Sequence, residues 1–143
     1  MNAVIARQPI VALPIVAVLL AACSSAGEHP DNSSALAAVQ AGRSGGEVVV
    51  EGVVTRVARP SHGDTGIHER FSIRIGSGAA EQDILVADNV TIGTAAPVHQ
   101  GDDVIVKGVL EIDPSGPVIH WTHHDPSFRH AGGYVIVHGK MYD

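Results

Sequence analysis

Apolar and polar positions alternate along most of the chain after residue 47, and the apolar ones are rich in valine and isoleucine. Ile67, Phe71, Ile73 and Ile75 share one parity, while His68, Arg70, Ser72 and Arg74 share the other. A period of two with β-branched side chains predicts a half-buried strand there, with Glu69 the one polar residue on the apolar side. The same pattern predicts a long strand over 48–57, bent at Gly52, an equally long one over 103–112 that is again interrupted by glycine, and shorter ones over 84–87 and 118–123. Turns are expected at 61–66, at Asp88-Asn89, at Gly101-Asp102 and at 113–116. Residues 134–137 add a closing strand, with His138-Gly139 turning toward Tyr142. Before the first strand, Ser34 is placed to cap a short helix over 35–41 that Gly42 stops, with Leu36 and Val39 docking it. Short strands of this number must close or sandwich to bury their apolar faces. The predicted fold is all-β: a small antiparallel five- to six-stranded OB-like barrel with a short N-terminal helix. A sandwich or roll is the alternative.

The first residues carry a different pattern. Arg7 precedes an apolar run from Pro9 to Ala22 that is short for a spanning helix and is interrupted by Pro9 and Pro14. It ends in Leu20-Ala21-Ala22-Cys23-Ser24, which resembles the signal of bacterial lipoproteins. That resemblance implies cleavage before Cys23 and lipidation of its thiol. Cys23 is the sole cysteine, so an intramolecular disulfide is excluded. The expected organisation is a signal peptide over 1–22, a lipid-anchored tether over 23–46 and a barrel domain over 47–143. The polar stretch from Glu28 to Ser33 is expected to be disordered. The expected location is the bacterial cell envelope, facing the periplasm or exterior. Ser24 fits sorting to an outer membrane where the organism has one.

Charge narrows the partners. A formal net charge of −6 argues against nucleic acid, which is held by phosphate neutralisation. The few aromatic residues also make a poor base-stacking platform. The expected partners are therefore the membrane, through the lipid anchor alone, and an envelope protein or small ligand.

Chemistry concentrates in one stretch. Residues 118–130 hold four histidines, an aspartate and the only tryptophan. In a continuous strand, His120 would face outward, while Trp121 would enter the core with His123 at its edge. His120, His124, Asp125 and His130 are candidate ligands for zinc or another divalent transition metal. Glu69 is then the candidate base for metal-assisted hydrolysis. His68, Arg70, His123 and His138 are further site candidates. The competing reading is architectural: histidines bonded to backbone carbonyls, with Asp125 orienting a ring or capping its own loop.

Several segments together resemble the DUF3465 family of bacterial proteins. They are His68-Glu69-Arg70-Phe71, residues 84–89, Gly101-Asp102, residues 118–126 with His130, and Gly133-Tyr134 leading to His138-Gly139 and Tyr142. The resemblance runs over about residues 35–143. It leads one to expect glutamine in place of Glu69, histidine in place of Asp88 and tryptophan in place of Tyr134. It implies a secreted or periplasmic protein and brings no activity with it. Two functions stay open: an envelope binding or accessory domain, and a metal-dependent hydrolase.

Overall fold

The computed structural model describes residues 28–143. The expected signal peptide over 1–22 and the expected lipidation site at Cys23 lie outside the described residues. The elements in chain order are α1 (Asn32–Gln40), β1 (Gly46–Val57), β2 (Ser61–Gly63), β3 (Gly66–Ile75), β4 (Gln82–Asn89), β5 (Asp103–Asp113), β6 (Gly116–His120), β7 (Tyr134–Val137) and β8 (Lys140–Tyr142). Five strands close on themselves in the order β1-β3-β4-β6-β5, and β5 returns to β1. The short strands are additions: β2 pairs with β3, and the β7–β8 hairpin pairs with β5. The expected small all-β barrel is therefore the observed one. One expectation changes, because β4 and β6 pair in parallel, at Leu85 with Val118 and Val86 with Ile119.

Alternation selects the barrel's interior. Val50 and Val54, Phe71, Ile73 and Ile75, Ile84 and Val86, Val104, Val106 and Leu110, and Ile119 are all buried in one core. The first strand bends, but the register shift falls between Val54 and Arg56 rather than at Gly52. Gly52 instead lies where β1 crosses β3 closely, so that any Cβ would overlap the Arg74 carbonyl.

The N-terminal half of β1 pairs with β5 on one edge, and β3 begins pairing only at Val53. Its other edge is covered by α1 and the residues before it. The Asp31 N–H donates to the Val49 carbonyl (2.8 Å), and the Asn32 side chain bonds both backbone groups of Glu51 (2.8 and 3.0 Å). Glu28 reaches Lys107 on β5 at 2.7 Å. These contacts overturn the expected disorder of the 28–33 stretch. The helix cap also moves. Asp31, not Ser34, caps the helix, accepting from the Ser34 N–H at 3.1 Å and from the Ser33 and Ser34 hydroxyls at 2.6 Å. Those two hydroxyls, the Ser33 bond foremost, hold the Asp31 carboxyl down at about 2.

Candidate functional site

The strand expected over 118–123 stops at His120, because Trp121 takes a left-handed backbone with φ of 54°. A bulky residue seldom adopts that conformation, and the turn it makes reverses the expected facing of Trp121 and Thr122. Trp121 is 41% exposed, while Thr122 and His123 are buried. The indole is thus a surface group and not core. Two glycines admit this crossing: a Cβ at Gly108 would overlap the His120 carbonyl, and one at Gly133 the Trp121 carbonyl. The Gly133 N–H also donates to the His123 carbonyl at 2.9 Å.

One buried contact ties this segment to the barrel. The Thr122 hydroxyl donates to Asp88 at 3.0 Å. Asp88 and Glu69 face each other across β3 and β4, on the inward parity at one end of the barrel. Asp88 and Asn89, expected in a turn, are buried in β4. Burial pushes the Asp88 carboxyl up, against the bond from Thr122 and the pull of His123 and His68. Glu69 is also raised, by burial first and by the Asp88 charge, while the Ala96 N–H works the other way. That N–H reaches Glu69 Oε2 at 3.2 Å and fixes the loop between β4 and β5.

Asp125 caps its own loop. It accepts backbone N–H groups from Ser127 (2.7 Å), Arg129 and His130 (2.8 Å). Its carboxyl sits below the usual value: desolvation would raise it, but the His130, Ser127 and Arg129 bonds outweigh that effect. Its distance to His130 Nε2 is 3.8 Å, too long for a hydrogen bond.

Beside this loop lies a cleft of about 860 Å³ on the outer face of β4, β5 and β6. Its walls include His68, His120, Trp121, His123 and His130. Glu111, Asp113, Asn89 and Arg129 add polar groups, and Ile92 and Pro126 add apolar ones. Trp121 stacks on His130 with ring centroids 5.5 Å apart and meets His120 at 6.2 Å. His123 meets His130 edge-on at 5.5 Å.

Three of these imidazoles have a defined tautomer. A carbonyl only accepts, so the Nδ1 atoms of His68 (to Gly66, 3.1 Å), His123 (to His124, 2.6 Å) and His130 (to Ala131, 2.8 Å) are donors. When neutral, each ring keeps Nε2 as an acceptor. That of His68 takes the Thr65 hydroxyl at 3.3 Å, which leaves the Nε2 atoms of His123 and His130 as acceptors for a ligand.

The sequence candidates thus divide. His68, His120, His123, Asp125 and His130 line the one cleft, and the exposed His124 is not among its walls. Glu69 lies at the barrel end and is not in the cleft wall, and the Arg70 guanidinium bonds Ser61. His138 lies elsewhere, on the β7–β8 turn, 3.0 Å from Asp102. The four candidate metal ligands do not meet: the Trp121 ring packs against both His120 and His130, and Asp125 is occupied by backbone donors. Among the described residues no three His, Cys, Asp or Glu side chains form a metal-holding group. The Nδ1–carbonyl bonds and the Asp125 loop cap are those of the architectural reading; sequence reasoning missed the Asp88–Thr122 contact and the roles of Gly108 and Gly133. Of these, only the glycines carried a visible signal.

Fold and site define a small closed β-barrel protein with a histidine- and tryptophan-lined cleft on its outer face. The chain belongs to the DUF3465 family, described as a protein of unknown function, whose family model matches residues 16–143. No curated protein and no solved structure matches it.

Proposed function

We propose that this protein is a lipid-anchored binding domain of the bacterial cell envelope, with the cleft beside Trp121 as its binding site. The ligand is a small organic molecule that lays an apolar or flat face on the indole and gives N–H or O–H donors to Nε2 of His123 and His130. The observation that carries this reading is the partly exposed Trp121, held in a left-handed conformation against His130 at the cleft wall. Such strain costs about 1–3 kcal/mol and persists where the surroundings enforce it, commonly at ligand sites. Attachment falls to Cys23. Among the described residues, no helix is long and apolar enough to cross a membrane.

The sole tryptophan reports directly on the site. Trp121 emission, titrated with a panel of sugars, amines and heterocycles, is expected to change saturably with at least one class. His123→Ala should weaken that response about tenfold, roughly 1.4 kcal/mol. A flat response across the panel, together with no small molecule in mass spectra of the natively purified protein, would remove the binding reading.

The second reading, a metal-dependent hydrolase, draws on the free Nε2 atoms, since metal-ligating histidines characteristically donate their other ring N–H. It lacks a third convergent ligand among the described residues and has Glu69 outside the cleft wall. On the binding-domain reading, dialysis against a chelator leaves Tm unchanged. A fall of several degrees, reversed by zinc, would favour the hydrolase.

A further inference from the structure

We propose that the loop between β6 and β7, led by Phe128, seats on the lipid surface to which Cys23 tethers the chain; this rests on the lipid-anchor reading. Phe128 is 94% exposed and has a left-handed φ of 53°. Asp125, through its bonds to the N–H groups of Ser127, Arg129 and His130, fixes the turn that presents the ring. A bare aromatic ring on a rigid loop tip matches the chemistry of the interfacial zone, where aromatic residues collect. The loop is also locally balanced in an acidic chain: its one carboxylate, Asp125, is already bonded within the loop, and Arg129 beside Phe128 is exposed.

Chain length supplies the second argument. Four residues separate Cys23 from Glu28, a reach of about 18 Å when fully extended. Glu28 is clamped to Lys107 at 2.7 Å, and Asp31 to Val49 at 2.8 Å, so the tether cannot lengthen by peeling without breaking these bonds. Lys107 shares the outer parity of β5 with Glu111, about 13 Å further along the strand, in the cleft wall. The Lys107 carbonyl also packs against Gly133, whose N–H closes the same loop on His123. The chain exit at Lys107 and the cleft therefore share the outer face of β5, and the Phe128 loop borders that cleft through Ser127 and Arg129.

The test uses the mature lipidated protein in phosphatidylcholine vesicles. A Trp121→Phe, Phe128→Trp double variant places the only indole at position 128. Its emission should shift to the blue and be strongly quenched when the acyl chains are brominated. Because that variant can misfold, the otherwise wild-type protein is also probed with trypsin: cleavage after Arg129 should be slow on vesicles and fast in Phe128→Asp. Lipid found on Cys23 by mass spectrometry, with no bromine quenching and no protection, overturns the seating and leaves the anchor intact. An unlipidated Cys23 overturns both. Burial of the indole that tracks protein concentration and not brominated lipid assigns the loop to a second copy, and overturns the proposal.

Discussion

Trp121 and Thr122 show how one backbone angle redistributes two side chains. Period two would send alternate residues to opposite faces, but the left-handed Trp121 exposes the indole and buries the next two residues. Thr122 then becomes the buried donor to Asp88. Thr122→Val keeps the shape and leaves Asp88 with one donor fewer, so the loss should be about 1–3 kcal/mol, measured by urea unfolding. Gly133→Ala should cost a similar amount, about 1–3 kcal/mol, by forcing the Trp121 carbonyl away. An unchanged unfolding midpoint in Gly133→Ala would mean that the two loop ends do not pack this closely. The histidine cluster was legible in the sequence as a cluster. Its geometry was not, because residue types carry no sign of a φ reversal, and Gly108 and Gly133, far from Trp121 in the sequence, make room for it.

At the scale of elements, strands were the readable part. Their positions followed from alternation that burial enforces, and boundaries moved by a few residues at most, apart from the shortened β6. The three-residue strands β2 and β8 were too short to show a period. The segment from Glu28 to Asn32 looked like a polar tether because its bonds are to distant backbone groups on β1 and to Lys107. Asn32→Ala should free this segment locally. Hydrogen exchange at the Glu51 amide, which now donates to Asn32 Oδ1 at 3.0 Å, is expected to accelerate while the barrel amides stay protected. Uniform acceleration across the barrel would instead make the segment part of the cooperative core.

For the whole molecule, the inward carboxylates at the barrel end set a pH dependence. Glu69 and Asp88 have folded values raised above the ordinary 4.5 and 3.8, so the folded state holds their protons more tightly than the unfolded chain. Their contribution is therefore fully present below those ordinary values and is lost as pH rises through the folded ones. Glu69→Gln combined with Asp88→Asn removes it. The wild type should lose more stability than this variant on going from mildly acidic to neutral buffer, as read from urea midpoints. Parallel pH profiles would show that the two groups titrate as they do in the unfolded chain.

The parallel join of β4 to β6 has a further consequence, in time. It registers only two residue pairs, and the other closure, β1 to β5, links residues as far apart as Gly46 and Leu110. The β1–β3–β4, β2–β3, β5–β6 and β7–β8 contacts are local, and none of them encloses the core until chain ends distant in sequence have met. Folding is therefore limited by the search for those long-range pairings, in the millisecond-to-second range typical of such topologies. A chain interrupted before β5 has strands but no interior to bury them in.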